Sequence, residues 1–227
     1  MGSRARKKAS SALVVGVTGH RPHRLGALQL ARLLSQARDV LRELASASSE
    51  HAPEGVALYS ALAEGADRHL ARLALEAGCT LHAVLPFARD DYAADFDSAE
   101  SLREYEYLLD RAQHVDELAG DRRHADLAYE RAGHAILDAA DLLIAVWDGA
   151  PGRGRGGTGA VVAEAWRRRM PIVHLSTQAH AQPTLLHADA GRVPSLDLQH
   201  LPDRPLDSAT LRTLIAAWLA ARHKGAH

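Results

Sequence analysis

The chain has 227 residues, enough for one large domain that buries its own core without a structural metal. Its 27 lysines and arginines nearly balance its 28 aspartates and glutamates, which disfavours nucleic acid as a partner because phosphate binding needs an excess of positive charge. A single cysteine, Cys79, excludes an internal disulfide framework, and 4% of aromatic residues is too few for a platform on which bases stack.

Neither end of the chain resembles a targeting or membrane segment. Residues 1–11 are basic and polar, and we expect them to form a disordered tail. The apolar run Ala12–Val17 is too short for a signal peptide or a membrane span. Asp138 and Asp141 interrupt the second apolar run, Ala135–Trp147. We therefore predict a cytoplasmic protein without a membrane partner.

Short aliphatic runs alternate with longer helical periodicities along residues 12–176. The predicted strands are Ala12–Thr18, Val56–Ser60, Leu81–Leu85, a short edge strand at Val115–Leu118, Leu142–Trp147 and Ile172–Leu175. The predicted helices are Leu25–Ala47, Glu64–Ala77, Ser98–Ala112, Leu127–Ala140 and Thr158–Arg169. Continuous apolar strands are typical of a parallel sheet with helices on both faces, so the pattern predicts a Rossmann-like three-layer α/β fold with a mostly parallel sheet.

A C-terminal extension, residues 177–227, follows this predicted domain. Residues 178–205 contain four prolines and little periodicity, which indicates an irregular segment on the domain surface. Asp207 or Ser208 is placed to cap a final helix that runs to Ala221. The apolar stripe of that helix docks on its own domain or on a partner subunit; it comprises Leu211, Leu214, Ile215, Trp218 and Leu219.

The strongest functional signal is a glycine-rich segment between the most apolar strand and the helix that follows it. Residues 149–159 contain six of the 17 glycines. Glycine lets a ligand approach the main chain closely, and the free N–H groups at a helix N-terminus attract anions. We therefore expect the amides of Gly156, Gly157 and Thr158 to bind a phosphate. The alternative is a flexible connector whose arginines are solvated.

Other loops add candidates, because open parallel sheets bind ligands at the carboxyl ends of their strands. The candidates after the first strand are Thr18, Gly19, His20 and Arg21. Those after the second strand are Ala63, Glu64, Gly65, Asp67 and Arg68. Those after the third strand are Pro86, Phe87 and Tyr92, and those after the fifth are Trp147, Asp148 and Gly149.

The charged candidates suggest how a nucleotide would bind. His20 and Arg21 suit a phosphate or a ribose, and Glu64 or Asp67 could accept hydrogen bonds from ribose hydroxyls. Alternatively, His20 and Arg21 belong to a solvated loop, and Glu64 and Asp67 are the acidic residues commonly found in the first turn of a helix.

Aromatic residues are concentrated after the third strand. Three of the ten lie there and could line a wall for a nucleobase: Phe87, Tyr92 and Phe96. The alternative is a small apolar core beneath a long loop.

The sequence does not predict a metal, a cofactor or a nucleophile. Its 14 histidines include no HxH or HExxH pair, and no GxSxG motif is present. Cys79 precedes a strand, away from the end where catalytic groups are expected.

Six segments in order resemble the bacterial branch of the SLOG superfamily over residues 12–176. They are GVTGHR (16–21), SALAEGADR (60–68), AVLPF with DYAADF (83–96), AY with AGHAI (128–136), DLLIAVWDG (141–149) and GRGGTGAVVAEA (154–165). The resemblance implies a Rossmann-like fold that binds nucleotides or nucleotide-derived ligands, in many relatives as a sensor in signalling and anti-phage defence. Other relatives are LOG-type phosphoribohydrolases and DNA-processing proteins.

The glycine motif departs from that of the LOG enzymes, PGGxGTxxE. Aligning its glycine pair places Ala163 rather than Glu164 at the catalytic glutamate, and Ala160 replaces the threonine. We therefore expect a nucleotide sensor whose output comes through a separate effector protein or through assembly. The resemblance also implies a homo-oligomer, with a dimer as the expected form, because relatives of this fold commonly pair through helices. The alternative is a nucleoside-monophosphate phosphoribohydrolase with Glu164 as the candidate catalytic residue, and a third reading is a DNA-handling protein.

Overall fold

A computed structural model describes residues 12–49, 52, 54–151, 154–186, 203–207, 209–213 and 215–216. Its strands are β1 (Leu13–Gly19), β2 (Val56–Ser60), β3 (Thr80–Leu85), β4 (His114–Glu117), β5 (Leu142–Trp147), β6 (Ile172–Ser176), β7 (Thr184–Leu186) and β8 (Asp203–Pro205). Its α-helices are α1 (Ala27–Ser48), α2 (Ala66–Glu76), α3 (Arg89–Ala93), α4 (Ala99–Arg111), α5 (Ala125–Ala139) and α6 (Thr158–Arg167).

The strands form one sheet in the order β4-β3-β2-β1-β5-β6-β7-β8. Strands β1 to β6 are parallel, whereas β7 and β8 are antiparallel to their neighbours. Because β1 lies between β2 and β5, the order of the strands reverses there. Such a reversal opens a crevice at the carboxyl ends of the two central strands, where α/β sheets bind ligands.

Two helical layers cover the sheet, as its continuously apolar strands require. The larger core lies against α1, α2 and α4 and includes Leu41 and Leu70. The smaller core lies against α5 and α6 and includes Trp147, Val162 and Trp166. Strand β5 is buried along its whole length. The predicted three-layer fold with a mostly parallel sheet is confirmed.

The structure corrects two details of the sequence interpretation. The segment after the third strand contains a short helix, α3, which was not predicted. The extension read as irregular contributes β7 and β8, whose three residues each are too few to show a periodic pattern. Leu186 of β7 is fully buried against Ile172 of β6, which explains why this strand joins the sheet.

Residues 209–213 and 215–216 are helical. Asp207 caps this segment, because its Oδ1 accepts a hydrogen bond from the backbone N–H of Thr210 at 2.6 Å. Leu211 and Ile215 pack into the larger core, so this part of the apolar stripe docks on its own domain. Leu214, Trp218, Leu219 and the tail at 1–11 lie outside the described residues. No helix in the described ranges is long and apolar enough to cross a membrane.

Candidate functional site

A cavity of about 410 Å³ opens at the carboxyl ends of β1, β2 and β5, which is within the usual size of small-molecule sites. The loops after these strands form its walls together with α3, α5 and the start of α6. The predicted site residues that line it are Thr18, Gly19, His20, Arg21, Ala63, Asp67, Tyr92, Gly156, Gly157 and Thr158. The structure therefore brings candidates from four separate loops to one place.

Sequence reasoning missed the contribution of α5. This helix lines the cavity with Asp126, Tyr129, Ala132, Gly133 and Ile136. The segment AY with AGHAI already carried part of the SLOG resemblance, so it was the signal that could have indicated this wall. Other lining residues that were not predicted include His23, Arg24 and Arg155.

The amino terminus of α6 faces the cavity. Gly157 is its N-cap residue, and no side chain among the described residues caps it. Gly156 packs directly on α5, since a Cβ atom there would lie 2.3 Å from the Cβ of Tyr129. Only glycine allows this close approach, which holds the start of α6 beside the cavity. The N–H of Gly157 itself donates to the carbonyl oxygen of Gly154 at 3.3 Å, so a ligand is offered the other N–H groups of the first turn and the positive end of the helix dipole.

The start of α2 forms a second wall. Gly65 has φ +95°, and a Cβ atom there would lie 2.5 Å from the carbonyl oxygen of His20. The loop after β1 rests on this turn, because the N–H of Ala66 donates to the same carbonyl at 3.1 Å. Asp67, two residues after Gly65, lines the cavity.

Asp67 is a buried carboxyl group. Desolvation by burial raises its pKa to about 7, against the opposing effects of Arg21, Arg68 and hydrogen bonds from the backbone of Ala63 and Gly19. Because an aspartate normally titrates near 3.8, this group exchanges its proton in the neutral range, where ordinary surface carboxylates stay ionised.

His20 joins the loops that follow β1 and β5. Its Nε2 lies 3.1 Å from Oδ1 of Asp148 and 3.2 Å from the backbone nitrogen of that residue. One nitrogen cannot donate to the first and accept from the second, and donation to the charged carboxylate is the stronger contact. Arg24 pairs with the other carboxylate oxygen. Burial lowers the pKa of His20, although Asp148 opposes this effect.

Arg68 supports the fold rather than the cavity. Its side chain is fully buried, and its Nε donates to the carbonyl oxygen of Leu62 at 2.9 Å. Its Nη1 donates to the carbonyl oxygen of Ser101 at 2.7 Å, and the guanidinium lies 4.1 Å from the ring centre of Phe96. These contacts tie α2 to α4.

Several other predicted residues lie outside the cavity lining. Glu64 accepts a hydrogen bond from the hydroxyl of Ser101, and its carboxylate lies 3.9 Å from the guanidinium of Arg21. It therefore contacts a residue of the cavity lining without lining the cavity itself. The remaining residues outside the lining are Gly65, Pro86, Phe87, Trp147, Asp148, Gly149 and Glu164. Phe87 and Trp147 are fully buried in the cores.

Glu164 is held by arginines of its own helix. It pairs with Arg167, and its Oε1 accepts from Nε of Arg168 at 2.6 Å. Because it lies beyond the first turn of α6 and outside the lining, the structure does not bring it to the phosphate-binding end.

Of the three aromatic residues predicted as a nucleobase wall, Tyr92 alone reaches the cavity lining. Its ring centre lies 5.0 Å from that of Phe96 and 6.3 Å from that of Phe87, inside the larger core. The interpretation as a core beneath a loop therefore holds for the two phenylalanines. Among the described residues, no group of three or more histidine, cysteine or acidic side chains is arranged to hold a metal ion.

The fold and the cavity define an α/β Rossmann-like domain with a polar site at the carboxyl edge of its sheet. DNA processing protein A from Streptococcus pneumoniae matches 74% of the chain with 16% identity and a TM-score of 0.50. The match covers 52% of that protein, so this chain spans about half its length. This likeness confirms the fold that the SLOG resemblance implies.

Two further structures are similar. The molybdenum cofactor carrier protein of Chlamydomonas reinhardtii matches 92% of this chain and 99% of its own, with 20% identity and a TM-score of 0.49. DNA processing protein A from Helicobacter pylori, described as binding single-stranded DNA, matches 74% of this chain and 67% of its own, with 13% identity and a TM-score of 0.48. No protein-family model matches the chain. No curated protein matches it either.

Proposed function

We propose that this protein binds a nucleotide or a nucleotide-derived ligand in the cavity, with a phosphate at the amino terminus of α6. The observation that carries this proposal is the uncapped helix start at Gly157, which faces a cavity of suitable size. Arg21 and Arg155 also line the cavity and favour an anion. The apolar wall of α5 suits the uncharged part of such a ligand.

We propose further that binding itself is the function, as in a sensor of a bacterial signalling or defence system that acts through a separate effector protein. Glu164 forms ion pairs with Arg167 and Arg168 and does not line the cavity, which supports ligand binding over hydrolysis. A phosphoribohydrolase is the second candidate, favoured by Asp67, because a carboxyl group that titrates near neutral pH on a cavity wall suits acid–base chemistry.

The variant Gly157→Asp tests the phosphate site. Gly157 has φ −77° and ψ 157°, which an aspartate adopts without strain, and aspartate is a preferred N-cap residue. The new carboxylate should cap α6 and repel the phosphate. We expect native stability with at least about tenfold weaker binding of adenosine, guanosine or cytidine monophosphate by calorimetry, given about 1.5–3 kcal/mol for a charge-assisted hydrogen bond.

Gly157→Asn is the matched control, because it caps the helix without adding charge. It should weaken binding less than the aspartate variant. Unchanged nucleotide binding in Gly157→Asp would rule out this phosphate site.

Incubation with the same monophosphates separates the two candidate functions. Chromatography should show no free base if the protein is a sensor. Release of base that is lost in Asp67→Asn or Glu164→Gln would establish the hydrolase instead.

A further inference from the structure

Tyr92 lines the cavity and carries a hydroxyl group that is buried beneath the cavity surface. The residue is fully buried, and its ring is packed against Phe87, Phe96 and Tyr105 at centroid distances of 5.0 to 6.3 Å. Its buried hydroxyl oxygen has no hydrogen-bond partner among the described residues. An unpaired buried polar group costs free energy, so it calls for an explanation. The packed ring fixes the position of this hydroxyl before any ligand arrives.

Asp67 lines the same cavity. The two side chains are near enough for the charge of Asp67 to influence the ionisation of Tyr92, and Arg21 influences both. A carboxylate offers about four acceptor positions, and the backbone of Gly19 and Ala63 occupies two of them. At this wall, a carboxylate that retains acceptor capacity thus lies near an unpaired hydroxyl group just beneath the cavity surface.

The charges around this wall restrict what it could bind. A second phosphate would be repelled by ionised Asp67, and an ammonium group would be disfavoured by the neighbouring Arg21. A ligand hydroxyl satisfies both side chains, because it donates to the carboxylate and accepts from the tyrosine.

We propose that Asp67 and Tyr92 form a hydroxyl-binding subsite, so that the preferred ligand is a phosphate ester of a hydroxylated sugar. This inference rests on the proposed function, since it requires a ligand anchored at α6. It extends that function from a phosphate anchor to selection for sugar hydroxyls.

Three probes measured by calorimetry test the subsite. They are inorganic phosphate, adenosine monophosphate and 2′,3′-dideoxyadenosine monophosphate. Inorganic phosphate lacks the nucleoside, and the dideoxy nucleotide lacks only the two ribose hydroxyls. We expect the wild-type protein to bind the hydroxylated nucleotide at least about tenfold more tightly than its dideoxy form. In Tyr92→Phe and in Asp67→Asn, this preference should fall to about threefold or less.

Tyr107→Phe is the matched control, because Tyr107 is 46% exposed on α4 and lies outside the cavity lining. It should keep the full preference. Equal binding of the two nucleotides by the wild-type protein, or an unchanged preference in Tyr92→Phe, would overturn the subsite while leaving the phosphate anchor intact. Failure of all three probes to bind would overturn the proposed function and the subsite together.

Discussion

Nε2 of His20 lies 3.1 Å from Oδ1 of Asp148, so one side-chain contact joins the loops after β1 and β5 across the crevice of the sheet. Burial lowers the pKa of His20, and the carboxylate of Asp148 raises it in part. His20 therefore lies on the cavity wall, and Asp148, which is outside the lining, partly offsets the effect of burial on the pKa of His20.

Asp148→Asn should lower the pKa of His20 further, because burial then acts without the opposing carboxylate. NMR titration of the imidazole measures the shift. The pKa of His82, which its own burial lowers on β3, should be the same in both proteins. A rise in the pKa of His20 would contradict the contact.

Asp67→Asn should change the pH dependence of stability. The folded-state pKa of Asp67 is about 7 and the ordinary value is 3.8, so the folded protein holds this proton more tightly than the unfolded chain does. Its stabilising contribution is complete below about pH 4 and is lost as the pH rises toward about 7. The free energy of unfolding of the variant, relative to the wild type, should therefore increase over that interval.

Urea unfolding at several pH values measures this trend. Thr213→Ala at an exposed position is the control, because it removes no titratable group, and its difference in unfolding free energy from the wild type should stay constant with pH. If the difference in unfolding free energy between Asp67→Asn and the wild type were also constant with pH, the pKa of Asp67 would not be raised in the folded protein.

Arg68→Met should destabilise the fold by at least about 2 kcal/mol, because the buried hydrogen bonds to Leu62 and Ser101 are lost. Arg72→Met is the matched control on the same helix, since the Arg72 side chain is 55% exposed; it should cost less than about 1 kcal/mol. Chemical denaturation compares the two. If the Arg68→Met protein were as stable as the wild type but had lost nucleotide binding, Arg68 would be a ligand-binding residue, as the sequence analysis predicted.

Leu211→Ala should lower the free energy of unfolding by about 2–4 kcal/mol, because Leu211 is buried in the core of its own domain. Thr213→Ala, at an exposed position of the same segment, should have little effect. If the loss instead depended on protein concentration, this face would be an interface between subunits.

We also expect a homo-oligomer, with a dimer that uses a surface other than the buried face of Leu211 and Ile215. Light scattering at micromolar concentration should then give about twice the chain mass of 24.4 kDa. A value equal to the single-chain mass would refute the dimer.

The sequence predicted the fold, and with it the edge of the sheet where the cavity lies, because both depend on patterns along the chain. Apolar strands, helical spacing and a glycine cluster at a strand end were enough to place Gly157 beside the cavity. Side-chain direction was harder to predict. Asp67 and Arg68 are adjacent, yet about 100° of helical rotation directs one to the cavity and the other into the core.

The wall formed by α5 was not predictable from spacing. Asp126, Tyr129 and Gly133 recur at three-to-four intervals, as the residues of any helix face do. Helical spacing does not distinguish this face from others; the return of the chain from β4 to β5, on the face opposite α1 and α2, is what places the helix beside the cavity.

Gly156 packs so closely on Tyr129 that no space remains between the glycine-rich segment (residues 149–159) and α5 at this point. Movement of the loop toward α5 therefore requires the helix to move as well, so a ligand that shifts the loop in this direction also changes the position of α5.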